Sequence, residues 1–427
     1  MSERHASPTP DSPQPAESPD AVRDQLERAA ATILPGFSAP QPLGGSPHLL
    51  RVSTPDGLRL VRRWEAATTA RRIEFVAQAL ATANDAGVPM LPRIVPPPGR
   101  DGTSLLLDGR LFTAATWLEG RPFARYGHYR DPDGATVDIP VPTATPVEEV
   151  AFAAARILGR FHVATRDLAS TGQAPRAPLG DFVRAASRQW QADKRRLGDK
   201  AAGSSEIRRW LRCGNRVMGV GPERLEATSG ILDDTGTVVH GDLWPTHLLV
   251  SPRNELIGIT GWAAMTTSSP VLDLVQLAAH VKGWTAAIAE DLVGAYHEVA
   301  PLSPEQRRAI PVVAAIDLVG RVAHLLDLAV LDERMRGHEA EPVLRSGLNV
   351  LLHALETLTN VLVPEAARKY QPARAGSPDR GGRGAGGRPQ GRPGGVRRSG
   401  TGPTTPARRG SGDRSRPASP RGTRKES

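Results

Sequence analysis

Polar side chains that could carry out acid–base chemistry lie between two short apolar runs near the middle of the chain. Val238-Val239 and Leu248–Val250 are brief apolar runs typical of buried strands. His240, Gly241 and Asp242 lie in the loop between them. Because a strand on each side fixes the position of such a loop, Asp242 is a candidate general base. His240 is a second candidate catalytic residue.

The residues that follow this loop make the pattern more specific. A third apolar run, Leu256–Ile259, comes after a Ser-Pro-Arg-Asn turn and predicts a short hairpin. His247 lies five residues after Asp242, and Gly261 directly precedes Trp262. A His-Gly-Asp triplet alone is a weak motif, but the triplet, the later polar residue and the hairpin together are a much stronger one.

With these features the chain resembles the aminoglycoside phosphotransferase family, a branch of the protein-kinase-like fold that includes choline kinases. The resemblance extends from Leu34 to about Val363. The family's loop reads H-G-D-x-x-x-x-N, and its next strand carries a second Asp before an aromatic residue. The resemblance implies that Asp242 accepts the proton of a substrate hydroxyl. It also implies that the Asn and the second Asp hold magnesium on the phosphates of ATP.

Both metal-ligand positions depart from the family's pattern. His247 stands where Asn is expected, and Gly261 stands where Asp is expected. Magnesium prefers oxygen ligands, whereas imidazole suits later transition metals better. His247 is therefore a candidate metal ligand for Mg²⁺ or Mn²⁺, and we expect low or manganese-dependent turnover. Asp273 matches a later Asp that the resemblance implies is a structural brace.

Two adjacent arginines stand where the resemblance implies a lysine that binds the nucleotide phosphates. The predicted strand Leu58–Trp64 contains Arg62 and Arg63. Side chains alternate along a strand, so only one arginine can face the cleft, and we favour Arg62. Its partner would be Glu74, in a predicted helix over Ala70–Ala86. Two solvated arginines and a solvated glutamate are the alternative interpretation.

Gly44 and Gly45 separate an extended segment from the predicted strand Leu49–Val52. In the family the first hairpin covers the nucleotide, and its backbone N–H groups reach the phosphates, so both glycines are candidate nucleotide-binding residues. A plain hairpin turn is the alternative. Leu118–Pro122 resembles the short segment that joins the two lobes.

The resemblance implies an α+β, protein-kinase-like fold with two lobes. The N-terminal lobe would be a small antiparallel sheet with a helix, and the larger C-terminal lobe would be mainly helical. Local patterns agree, since Asp108-Gly109 predicts a hairpin turn and Ser303 with Gln306 predicts a capped helix start. The predicted divisions are a disordered tail over 1–20, the sheet lobe over 21–118, the helical lobe over 119–369 and a disordered basic tail over 370–427.

The positive charge of the chain belongs to its C-terminal tail. The net charge is +9, and residues 371–427 contain 14 Lys/Arg and 3 Asp/Glu, which leaves −2 for the rest. This tail also holds 14 Gly and 8 Pro and cannot bury an apolar core. Weak, nonspecific contact with anions or nucleic acid is one interpretation, and a solvating tail is the other.

The single cysteine, Cys213, excludes an intramolecular disulfide and fits a reducing cytoplasm. We expect no membrane span, because no apolar run approaches about 20 residues. The predicted function is a small-molecule phosphotransferase that moves the γ-phosphate of ATP to a hydroxyl of an unidentified metabolite. The alternative is a weak or inactive relative that binds a nucleotide, a metabolite or a partner. No motif indicates the oligomeric state or the acceptor.

Overall fold

The computed structural model describes residues 17–43, 46–123, 126–130, 136–140, 148–171, 175–243, 245–281, 286–335, 337 and 341–363. Gly44 and Gly45, most of the predicted N-terminal tail and all of the predicted C-terminal tail lie outside these residues. The described chain begins with a sheet lobe and continues into a mainly helical lobe.

The sheet lobe contains six strands: β1 (Ser38–Pro42), β2 (Leu49–Thr54), β3 (Gly57–Arg63), β4 (Ile94–Val95), β5 (Leu105–Leu107) and β6 (Arg110–Thr116). They pair in the order β1-β2-β3-β6-β4, and β5 pairs with β6. All of these pairings are antiparallel. Asp108 (φ 50°) and Gly109 (φ 71°) form the tight turn between β5 and β6. The predicted hairpin turn is confirmed.

Helix α1 (Pro19–Ile33) covers one face of this sheet. The Ser18 hydroxyl accepts a hydrogen bond from the Ala21 N–H, and Pro19 is the first helical residue. Pro19 and Asp20 are therefore helical, although the sequence predicts them in the disordered tail. The helix shares a buried apolar cluster with the sheet: Val22, Leu26, Ala29, Ala30, Ile33, Leu34, Leu50, Val52, Val61, Leu105, Phe112 and Ala114.

Helix α2 (Ala70–Asp85) connects the sheet lobe to the rest of the protein. The Thr69 hydroxyl caps its start by accepting a hydrogen bond from the Arg72 N–H. Its buried residues, among them Ile73 and Leu80, belong to the same large apolar cluster as the helical lobe. This packing ties the helix to both lobes.

Three further short strands follow the sheet lobe: β7 (Arg121–Pro122), β8 (Tyr126–Arg130) and β9 (Thr136–Pro140). The helices of the second lobe are α3 (Glu148–Ala164), α4 (Arg166–Ser170), α5 (Leu179–Gly198), α6 (Ser205–Glu226), α7 (Val271–Val281), α8 (Ala286–His297), α9 (Pro304–Leu326) and α10 (Glu341–Leu362). The observed elements confirm the predicted α+β fold with a small sheet lobe and a mainly helical lobe.

Helix α9 lies at the centre of the helical lobe and contacts α5, α6, α7 and α10. Its start has the predicted capping box: the Ser303 hydroxyl accepts from the Gln306 N–H at 3.1 Å, and Gln306 Oε1 accepts from the Ser303 N–H at 2.9 Å. A short π-helical turn, Asp327–Leu331, continues it. This helix supplies much of the buried core.

The segment Pro304–Leu331 is long and apolar enough to cross a membrane by length and composition, which the sequence patterns did not predict. In the structure 72% of its apolar window is buried inside the protein. A buried core helix passes the same composition test. The segment is therefore accounted for by the packing of the helical lobe.

Candidate active site

Four short strands position the loop that contains Asp242. They are β10 (Thr237–Val239), β11 (Leu248–Val250), β12 (Leu256–Ile259) and β13 (Thr266–Ser268). Strand β10 pairs with β13, and β11 pairs with both β12 and β7. The apolar runs predict the first three of these strands. Because β10 and β11 flank residues 240–247, both ends of the loop are fixed.

Gly241 allows the loop to turn inside the protein. Its φ is +82°, and a Cβ at this position would lie 2.6 Å from the Ala264 carbonyl oxygen. Both the left-handed backbone and the close approach require glycine. The turn leaves the next residue, Asp242, half-buried at the surface of the loop.

Asp273, in the first turn of α7, holds the backbone of this loop. The residue is completely buried. Its Oδ2 accepts a hydrogen bond from the His240 N–H at 2.7 Å, and its Oδ1 accepts from the Gly241 N–H at 2.9 Å. A carboxylate that accepts backbone N–H groups forms strong, charge-assisted hydrogen bonds. The structure confirms Asp273 as a brace.

A second layer of polar side chains supports Asp273. His162 Nε2 lies 3.1 Å from Asp273 Oδ2, and His162 Nδ1 lies 2.7 Å from the Tyr296 hydroxyl. Burial opposes a charge on Asp273, but the hydrogen bonds from His162 and Gly241 hold its pKa below the ordinary value. Burial and the Asp273 charge raise the pKa of Tyr296. The buried network thus favours an ionised Asp273.

His240 is completely buried, so its ring is not exposed in the cleft. Its Nε2 lies 2.7 Å from the Thr260 carbonyl oxygen, which can only accept, so Nε2 carries the proton. Its Nδ1 accepts a hydrogen bond from the Asp242 N–H at 3.3 Å. The geometry makes His240 a positioning residue, which differs from the expected catalytic role.

His247 holds the other side of the same residue. Its Nδ1 donates to the Asp242 carbonyl oxygen at 2.8 Å. Gln276 adds two contacts to the neighbouring backbone: its Oε1 accepts from the Leu243 N–H at 2.8 Å, and its Nε2 donates to the Gly241 carbonyl at 3.2 Å. The backbone around Asp242 is therefore fixed from both sides.

The His247 ring also lies directly against Gly261. Gly261 has a φ of +84°, and a Cβ there would lie 2.5 Å from His247 Cδ2 and 2.6 Å from Nε2. Any side chain at position 261 would overlap the ring in its present position. The two departures from the family's pattern are therefore coupled through space.

The residues present do not fit the expected Mg²⁺ or Mn²⁺ site. Within the part of the chain that the structure describes, no group of three or more His, Cys, Asp or Glu side chains could hold a metal ion. Gly261 supplies no donor, and the Asp273 carboxylate is buried and bonded to the loop. His247 would contribute one imidazole nitrogen, and a single imidazole is a poor magnesium site.

The structure separates the two arginines of β3. Arg63 is buried and forms an ion pair with Glu17, which precedes α1. Arg62 points to the other face, where its guanidinium lies 4.6 Å from the centre of the Trp64 ring. Arg62 is therefore the arginine on the side of α2 and the helical lobe.

Glu74 does not pair with Arg62 in the structure. Its Oε1 accepts a hydrogen bond from the Thr103 N–H at 2.7 Å. Arg72 instead reaches from α2 toward the loop, and its Nη2 donates to the Ala263 carbonyl at 2.9 Å. The sequence did not reveal Arg72 as a site residue, because no local motif marks a contact between residues so far apart in the chain.

Both histidines of the loop are neutral at neutral pH. Burial lowers the pKa of His247 to about 4, and the Arg62 guanidinium acts in the same direction. Burial also lowers the pKa of His240. A neutral His247 keeps its Nδ1 proton for the Asp242 carbonyl, so its Nε2 is the unprotonated ring nitrogen.

We expect Asp273→Asn to reduce the free energy of unfolding by about 2–4 kcal/mol, because an amide cannot accept all the hydrogen bonds that the carboxylate accepts. Urea denaturation measures the loss. Asp327→Asn is the control, since this residue forms a partly exposed ion pair with Arg196 and its loss should cost about 1 kcal/mol or less. Equal losses in both variants would contradict the brace.

We expect Gly261→Ala to reduce the free energy of unfolding by about 2–5 kcal/mol through backbone strain and overlap with His247. In a His247→Ala background the loss should fall to about 1 kcal/mol. Gly36→Ala is the matched control, because Gly36 also has a positive φ (+79°) but no atom within 4 Å of an added Cβ. Denaturation curves that show no coupling between positions 247 and 261 would refute the contact.

Stability should fall as the pH decreases from 6.5 to about 4. The folded-state pKa of His247 is lowered from 6.5 to about 4, so in this window the unfolded chain binds the proton more readily. The loss is at most roughly 3 kcal/mol, since each pKa unit is worth about 1.4 kcal/mol. His247→Asn should flatten the pH profile of unfolding, and the exposed His353→Asn should not. An unchanged profile in His247→Asn would contradict a buried, neutral ring.

Comparisons with known proteins agree with this architecture. An aminoglycoside phosphotransferase from Alicyclobacillus acidocaldarius superposes with a TM-score of 0.54 at 16% identity, covering 83% of this chain and 98% of that chain. A microcompartment-associated aminopropanol kinase superposes with a TM-score of 0.50 at 14% identity, covering 80% and 98%. At these identities the likeness shows the fold alone. No curated protein matches the sequence.

The family assignment comes from the sequence itself. Residues 40–310 match the model of the phosphotransferase enzyme family. The matched range includes most of the sheet lobe, the loop with Asp242, the brace Asp273 and the start of α9. The resemblance that the motifs indicated is confirmed, and the chain belongs to the phosphotransferase enzyme family.

Proposed function

We propose that the protein transfers the γ-phosphate of ATP to a hydroxyl group of a small molecule, with Asp242 as the general base. The observation that supports this most is the fixed backbone of Asp242. Its N–H donates to His240, its carbonyl accepts from His247, and the preceding residues are held by Asp273. A general base must be held in position to take a proton from a hydroxyl, and a fixed backbone limits where the Asp242 side chain can lie.

The residues of this chain would position the general base and accept the proton of the substrate. Asp242 would accept the proton of the acceptor hydroxyl as its oxygen attacks the γ-phosphorus and ADP leaves. His240 and His247 would keep the backbone of Asp242 in place. Family membership supports the reaction class. The donors present do not form a magnesium or manganese site, as Gly261 has no side-chain donor and His247 offers a single imidazole.

A second candidate function is nucleotide binding with little or no turnover. The observation that favours it is the replacement of both metal-ligand positions by the packed pair His247 and Gly261. Fold does not determine chemistry, so the two functions must be separated by experiment. A cytoplasmic location and weak anion contact through the basic tail stay predictions, and that tail lies outside the described residues.

We expect Asp242→Asn to reduce turnover by about 100-fold or more, because the base is lost, while the fold is retained. ADP release would be measured with ATP and a panel of hydroxyl compounds that includes an aminoglycoside and aminopropanol, on which solved relatives act by name. Asp56→Asn, in an exposed turn of the sheet lobe, is the control. Wild-type turnover in Asp242→Asn would refute the assigned base. ATP binding without turnover in the wild type would favour the second function.

A further inference from the structure

The cleft side of the sheet lobe carries a guanidinium with an unsatisfied donor. Arg62 Nε is buried, and no atom of the described residues accepts a hydrogen bond from it. The guanidinium lies over the Trp64 ring, and burial lowers the pKa of Arg62, although the Glu65 charge opposes this. An anion is the ligand that a guanidinium fits best.

The position of Arg62 places this cation near the loop. Arg62 shares its face of β3 with Trp64, whose side chain belongs to the same buried apolar cluster as Trp262, the residue after Gly261. Arg72 adds a second positive charge there, since it donates to Ala263, two residues after Gly261. Arg62 and Arg72 therefore lie near position 261, where the family's pattern has a metal-binding carboxylate and this chain has glycine.

The His247 ring leaves no room for an aspartate side chain at position 261. The ring lies where a side chain at position 261 would begin, 2.5 Å from an added Cβ. The ring also donates a hydrogen bond to the Asp242 carbonyl oxygen. Moving the ring would break this bond and free the backbone of Asp242. The packed pair excludes an acidic residue while it positions Asp242.

We propose that the packed pair His247 and Gly261 makes nucleotide binding at this site independent of a divalent metal ion, and that the fixed positive charges of Arg62 and Arg72 take the place of the cation at the phosphates. The inference rests on the nucleotide binding proposed above. A guanidinium presents a planar pair of N–H donors that matches two phosphate oxygens. Its fixed charge would neutralise phosphate in the place of a bound cation.

The test is calorimetric titration of ATP into the full chain with EDTA, with Mg²⁺ and with Mn²⁺. We expect the dissociation constants to differ by less than about tenfold among the three conditions. Arg62→Gln should weaken binding by about 10- to 100-fold in EDTA. Arg59→Gln, on the opposite face of the same strand, is the matched control and should bind as the wild type does.

Three results of these titrations would overturn metal-independent ATP binding. Wild-type binding that requires a metal ion would overturn it and leave the proposed phosphotransferase function intact. Unchanged ATP affinity in Arg62→Gln would also overturn it. No ATP binding under any condition would overturn both the inference and the proposed function. If Arg62→Gln does not fold, the EDTA titration of the wild type still decides metal dependence, and Arg62→Lys tests the need for the paired donors.

The reverse design is a second test. The double variant His247→Asn with Gly261→Asp restores the family's two oxygen donors and removes the overlapping ring. We expect its ATP affinity to rise by about tenfold or more when Mg²⁺ is added, unlike that of the wild type. Equal magnesium dependence in both proteins would contradict the assignment of metal independence to the pair at 247 and 261.

Discussion

The buried carboxylate of Asp273 is the interaction on which the site depends. It joins α7 to the loop by accepting two backbone N–H groups, and His162 and Tyr296 complete its surroundings. Without it, the N–H groups of the buried His240 and the half-buried Gly241 would lose their acceptors, which is costly inside a protein. The turn that presents Asp242 is therefore stabilised from the helical lobe and not by the loop's own residues alone.

His247 and Gly261, the residues at the two expected metal-ligand positions, pack together as one structural unit. Gly261 supplies space and a left-handed backbone, and the His247 ring fills that space. The same ring donates a hydrogen bond to the carbonyl of Asp242. The residue at position 247 thus supports the backbone of the proposed base, and the glycine at position 261 leaves the space that its ring needs. Arg62 supplies positive charge nearby, since it lies over Trp64, which shares a buried apolar cluster with Trp262.

Local sequence patterns predicted the parts of this protein that depend on near neighbours. Short apolar runs located strands β10, β11 and β12 around Asp242, a turn dipeptide located the Asp108-Gly109 hairpin, and the resemblance located Asp273. Contacts between distant residues were not predictable, because no periodicity records them. The hydrogen bond of Glu74 to Thr103 and the reach of Arg72 to Ala263 both depend on how α2 packs between the lobes.

The measurement that tests metal-independent phosphate binding most directly is a crystal structure of the full chain with ATP and Mn²⁺, with anomalous scattering recorded for manganese. We expect the His247 ring to stay against Gly261, the Arg62 guanidinium to contact the phosphates, and no manganese to be bound by a protein side chain. A manganese peak with His247 or Asp242 as a ligand, and with Arg62 away from the phosphates, would contradict this expectation.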